Sequence, residues 1–251
     1  HKLINYIEKI QPDILVLRNL HANYVSMGTL FRYVANHDIP TVLALDDCWF
    51  FTGGCTHYTA LGCDRWKTGC GGCPNPTKNR PNWFFDRSAR VWSDRRKWYH
   101  AIPRLGVAGV SNWITNEARN SPLVDSAKVF ACTYNWIDTD VFQKTDVSSF
   151  KASLNISGKN IVLGVASSWS ESKGLSSFCE LAKKLGTEYT VILVGKMPEG
   201  ISLPENVLSP GATRDISELV SYYNLADVFV TVSPGKSIGR GTELRYAGCL
   251  L

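Results

Sequence analysis

Ile161-Val162-Leu163-Gly164-Val165-Ala166 is an unbroken apolar run, followed by the polar loop Ser167-Ser168-Trp169-Ser170-Glu171-Ser172 and then by Lys173-Gly174. A strand with one wet face would alternate, so unbroken apolarity points to a parallel strand buried on both faces. Beyond Gly174, the residues Leu175, Phe178, Cys179, Ala182 and Leu185 recur at helical spacing. The loop therefore delivers Ser167, Ser168 and Lys173 to a helix N-terminus, where unpaired N–H groups and the helix dipole favour an anion such as phosphate or diphosphate. A lysine at such a place is equally often a solvated first-turn residue. What favours the site is recurrence: residues 190–195 and 227–233 are two more strands, with a helix at 215–226 between them. Repeated strand-helix alternation implies a doubly wound parallel sheet that binds ligands at its carboxyl edge.

The first half has the same rhythm. Strands are expected at 13–17, 41–45, 105–110 and 128–132, with helices at 25–36, 83–102 and 111–120 and a helical face shared by Leu3, Ile7 and Ile10. With 251 residues the chain has room for two modest domains. The polar stretch 143–150 is the linker candidate, dividing an N-terminal domain 1–147 from a C-terminal domain 148–251. Both domains read as incomplete, since the chain opens at His1 and stops at Leu251 inside an apparent motif.

Residues 48–81 break the rhythm as a glycine-rich, aromatic insertion in the first domain. A loop this long needs something to organise it. Cys55, Cys63, Cys70 and Cys73 fit a structural zinc site, with the final C-x2-C as its knuckle. Two disulfides, or reduced thiols buried by Trp49, Tyr58 and Trp66, are the other arrangements.

Five motifs run in order along the chain. They are Asp47-Cys48-Trp49-Phe50-Phe51-Thr52-Gly53-Gly54-Cys55, the Gly69-Cys70 to Cys73-Pro74 ending, Tyr134-Asn135-Trp136-Ile137-Asp138 with Phe142, the Val165 to Gly174 loop, and Ala226-Asp227-Val228-Phe229-Val230. Together they resemble bacterial family 4 glycosyltransferases, retaining enzymes of exopolysaccharide and O-antigen assembly. The resemblance implies a GT-B fold: two Rossmann-like α/β domains facing across a cleft, the first for acceptor and the second for a nucleotide-sugar donor. It makes Lys173 a donor-diphosphate contact and Glu243 the carboxylate on the donor ribose, with Gly239, Gly241 and Thr242 in the turn before it. It also implies that no cofactor beyond the UDP-, GDP- or ADP-sugar is needed, because the acceptor hydroxyl attacks on the face from which the diphosphate departs. A sugar-nucleotide epimerase of the same fold and a non-catalytic zinc-organised module are the alternatives.

Three positions depart from the family pattern. Asp46 stands where the family has a histidine against the transferred sugar, Ser168 stands for an arginine, and Gly235 for a glutamate. Asp46 remains a catalytic candidate, although its charge would repel a diphosphate. On the acceptor side, Asp47 and His21 are the candidates, His21 lying just past the first strand.

The net charge of +5 sits in residues 1–150, where 17 Lys and Arg face 13 Asp and Glu. Arg87, Arg90, Arg95, Arg96 and Lys97, interleaved with Trp92, Trp98 and Tyr99, make the helix at 83–102 a candidate for anionic lipid. A solvated charged face with inward aromatics is the competing reading. The excess is too small, and modules too absent, for nucleic acid. No apolar run is long enough to span a bilayer and no signal peptide is evident, so a cytoplasmic protein, peripheral at the inner membrane face, is expected. Its acceptor would be a glycan or a lipid-linked sugar.

Overall fold

The computed structural model describes residues 2–21, 24–74, 85–156 and 160–232. They form two compact units, one running up to Tyr134 and the other from Asn135 onward.

The first unit holds a four-stranded parallel sheet of β1 (Leu15–Arg18), β2 (Thr41–Leu45), β3 (Leu105–Gly109) and β4 (Val129–Cys132), in that spatial order. In β2 the alternate residues Thr41, Leu43 and Leu45 are buried. They pack on a core shared with Leu30, Phe31 and Val34 of α2 (Met27–Asn36) and with Tyr99 of α3 (Ser88–His100). Ile114 and Ala118 of α4 (Asn112–Arg119) complete it, and Ser111 caps that helix by accepting the Ile114 N–H at 3.3 Å. Helix α3 starts at Ser88 because Asp86 gathers two N–H groups at 2.8 Å, those of Cys73 and Ser88. Of α1 (Lys2–Ile10), only Ile7 of the three expected apolar positions is buried. The opposite sheet face is open: Ile14, Val16 and Val129 are 57%, 61% and 60% exposed, beside a shallow depression lined by Val42, Gly106 and Ala108.

The second unit pairs β5 (Asn160–Ser168), β6 (Tyr189–Lys196), β7 (Val207–Gly211) and β8 (Val228–Phe229) in the order β7-β6-β5-β8, all parallel. Both faces of β5 and β6 are covered, which explains the unbroken apolar run. On one side, Ile161, Leu163, Ile192 and Val194 meet Tyr222, Tyr223 and Leu225 of α7 (Ile216–Leu225). On the other, Val162, Val191 and Leu193 meet Leu175, Phe178 and Ala182 of α6 (Leu175–Leu185). Strand β7 has no clear sequence signal, because Pro210 and Gly211 interrupt it, and both are tolerated at the edge position it occupies. The stretch read as a linker instead carries α5 (Ser148–Ser153), and its Phe142, Val147 and Phe150 pack on the second core.

Gly195 shows how tightly the two central strands close. Its φ is +136°, and a Cβ there would lie 1.9 Å from the Ala166 carbonyl oxygen, beside the register shift between Val165 and Ser168. Gly195→Ala should therefore destabilise the second unit by roughly 3 kcal/mol, through backbone strain and overpacking together. Urea unfolding followed by tryptophan fluorescence measures this.

Candidate functional site

The chain passes from β5 to β6 to β7 in one direction and then returns to place β8 on the other side of β5. The two crossovers leave the carboxyl ends of β5 and β8 in opposite directions, which opens a crevice there, the usual ligand position in such sheets. Ser167 and Ser168 end β5 at that edge and are exposed. A 3-10 turn, Glu171–Lys173, follows, then Gly174 with φ +79° as the N-cap of α6. A Cβ at Gly174 would come within 2.2 Å of Val232. The lysine-glycine pair thus lies between α6 and the segment after β8.

Trp169 anchors this loop. It is 3% exposed, its Nε1 donates to Val194 O at 3.1 Å, its N–H donates to Lys196 O at 2.8 Å, and its ring packs edge-on against Phe178. The sequence reading treated Trp169 as part of a polar loop; burial of the indole is what holds that loop in place. Lys173 is half-buried, and among the described residues it forms no ion pair. Lys196, the register partner of Ser168, is an exposed second cation at this edge that the sequence reading missed. Its signal was an apolar strand ending in a charge. Gly239, Gly241, Thr242 and Glu243, with Gly235, lie outside the described residues.

The carboxyl edge of the first sheet gathers the other candidates. Arg18, the last residue of β1, forms a two-pronged ion pair with Asp46, donating from Nε and Nη2 to its two carboxylate oxygens. Asp46 is therefore charge-compensated, which removes the repulsion anticipated for it; the hydrogen bond and charge of Asp46 in turn raise the Arg18 pKa. Next to it, Asp47 accepts the Trp49 N–H at 2.8 Å and stands 3.4 Å from His21 Nε2. Burial pushes the Asp47 pKa up; the Trp49 N–H, His21 and His57 oppose that, and Asp46 adds to it. Sequence reasoning brought Asp46, Asp47 and His21 to one edge but missed Arg18.

The zinc expectation for Cys55, Cys63, Cys70 and Cys73 is overturned. Among the described residues no three His, Cys, Asp or Glu side chains converge to hold a metal ion, and none of the described cysteines is in a disulfide. The thiols are used separately: Cys70 Sγ accepts the Gly53 N–H at 3.2 Å, and Cys55 and Cys70 pack against the aromatic core. Cys48 is buried, which with neighbouring carboxylates pushes its pKa up to about 12.

Hydrogen bonds and rings organise the insertion instead. Trp66, 1% exposed, packs against Phe51 and Tyr58, and Trp92 Nε1 donates to its carbonyl at 3.1 Å. Arg95, 3% exposed, lies 3.7 Å from the Trp49 ring centroid and donates to the carbonyls of Trp49 and Thr52. Arg65 likewise donates to the carbonyls of Gly71 and Gly72. The aromatic side chains of α3 are engaged in this packing: Tyr99 is fully buried and Trp98 stacks on Phe31. Arg87, Arg90, Arg96 and Lys97 stay in solvent, so the inward-aromatic arrangement is the one that forms. No helix among the described residues is long and apolar enough to cross a membrane.

No family model matches the chain. Over 105 residues, 40% of its length, it is 31% identical to WcaC of Escherichia coli (strain K12), assigned as a glycosyl transferase of colanic acid biosynthesis. Among solved structures it is similar to Anabaena HepE in complex with UDP, with a TM-score of 0.64 at 14% identity over 98% of this chain. It is also similar to the sucrose-phosphate synthase of Thermosynechococcus elongatus, with a TM-score of 0.60 at 14% identity over 94% of this chain. The chain spans 25% of the length of WcaC, 60% of HepE and 54% of the synthase. These likenesses show the fold, an α/β architecture with two parallel sheets as in GT-B glycosyltransferases, of which this chain covers part.

Two outcomes follow from how the insertion is held. Exhaustive chelation should leave the melting temperature unchanged, because no metal-binding free energy contributes to folding. Arg95→Met should lower stability by about 3 kcal/mol in urea titration, since it strips the donor from two carbonyls in the core of the first unit.

Proposed function

We propose that this chain belongs to a glycosyltransferase that moves a sugar from a nucleotide-sugar donor to a glycan or lipid-linked acceptor. The observation that carries the reading is the switch point between β5 and β8, with Ser167, Ser168 and Lys173 beside it and the α6 N-terminus facing it. Backbone N–H groups and a cation at such a point suit a diphosphate. Lys196 supplies positive charge next to Ser168, at the position that lacks the family's arginine. The catalytic task assigned to these groups is electrostatic: as the bond to the anomeric carbon breaks, negative charge grows on the departing diphosphate, and fixed donors stabilise it.

The donor we favour is a UDP-sugar, because HepE, similar over 98% of this chain, is seen with UDP and with UDP-glucose. Family 4 membership, retention of configuration and a role in polysaccharide assembly are supported by the motif order and by the likeness to WcaC. In this reading the second unit binds the donor, with Glu243 on its ribose and the turn of Gly239, Gly241 and Thr242 near its phosphates. The first unit presents the acceptor at Asp46, Asp47 and His21. A cytoplasmic site at the inner membrane face, reached through the solvent-facing arginines of α3, agrees with a lipid-linked acceptor.

UDP at millimolar concentration should raise the melting temperature by mass action, and GDP and ADP should raise it less. Lys173→Ala should weaken UDP binding roughly ten-fold or more in calorimetric titration, the loss of one charge-assisted contact. A protein stabilised by no nucleotide, or one whose Lys173→Ala variant binds UDP unchanged, would contradict the assignment.

A further inference from the structure

We propose that His21 and Asp47 act as a pair that accepts the proton of the attacking acceptor hydroxyl, His21 as the base and Asp47 as its partner. The inference deepens the transferase reading and rests on it.

Three contacts set the pair. Asp47 Oδ1 is fixed by the Trp49 N–H at 2.8 Å, and Asp47 Oδ2 stands 3.4 Å from His21 Nε2. The imidazole lies edge-on to the Trp49 ring at a centroid distance of 5.9 Å. Trp49 is in turn held by the buried Arg95 guanidinium, 3.7 Å from its centroid. A carboxylate side chain that is only 17% exposed thus faces an imidazole that remains 38% exposed. With Nε2 turned to the carboxylate, Nδ1 is the nitrogen free to take a proton, and orientation by a carboxylate is what a histidine base requires. The other ionisable groups near Asp47 are His57, Asp46 and Cys48. Asp46 is compensated by Arg18, and Cys48 stays protonated at neutral pH.

In the step, the acceptor oxygen bonds to the anomeric carbon while the bond from that carbon to the phosphate oxygen breaks. Its electron pair leaves on the diphosphate. The hydroxyl proton moves to His21 Nδ1, the imidazolium is stabilised by Asp47, and water takes the proton after release.

UDP-glucose hydrolysis, with water in place of the acceptor, tests this over roughly pH 5.5 to 9, where a histidine titrates. Wild-type kcat/KM should fall at low pH on one protonation. His21→Ala should lose about a hundred-fold in kcat, lose that acid limb and recover activity with added imidazole. Its thermal stabilisation by UDP should be unchanged, because the nucleotide is assigned to the second sheet. Asp47→Asn should lower the pH at which the His21 imidazole titrates in NMR by about one unit, through loss of the adjacent negative charge. Unchanged hydrolysis in His21→Ala with UDP binding intact overturns the pair alone. Loss of UDP binding by the wild type overturns the transferase reading and the pair with it. If turnover is too slow to follow, the NMR titration decides: a fall in Asp47→Asn supports the pair and an unmoved imidazole overturns it.

Discussion

Covering β5 and β6 on both faces leaves little freedom to the rest of the second unit. A sheet buried twice needs helices on each side, and helices on each side require the chain to reverse its direction of winding at some strand. Here the reversal falls between β5 and β8. Close approach of Gly195 to Ala166 and the packing of Trp169 against Phe178 then bring the end of β5, its loop and the start of α6 to one edge. A polar loop is thereby given a rigid seat by its one large apolar side chain. The placement of Ser167, Ser168 and Lys173 is thus a consequence of core packing rather than of any contact those residues make themselves.

The first unit reaches a comparable edge by other means. Its strands advance in one direction, β1 to β4, and its ionic groups are fixed in pairs, Arg18 with Asp46 and His21 near Asp47. Each carboxylate has a cation or a potential cation beside it. Arg95 joins this edge to the aromatic insertion, since the guanidinium that supports Trp49 also takes up the carbonyls of Trp49 and Thr52.

Much of the fold was legible in local pattern. Residues 41–45 have the expected strand bounds, and the strands at 161–166, 190–195 and 105–110 and the helix at 111–120 were found within a few residues. Failures occurred where tertiary context overrides local signal. Pro210 hid β7, which survives as an edge strand. Asp86 delayed the start of α3 by capturing N–H groups from two segments. The zinc reading failed because cysteine spacing is one-dimensional, whereas the side chains that fill this loop's interior are Phe51, Tyr58 and Trp66, and its carbonyls are answered by Arg65 and Arg95. In the candidate site, residue types were readable and pairings were not. Arg18 and Lys196 each close an apolar strand with a charge, but only the sheet register says which residue lies beside them.

The Arg18–Asp46 pair bears on how such a chain can diverge. A lineage that lost the arginine would strand a half-covered carboxylate at the sheet edge, and one that lost the carboxylate would leave a guanidinium loose there. The two positions, twenty-eight residues apart in the chain, form a single heritable unit that drift can replace only in concert or through a transiently unfit ancestor.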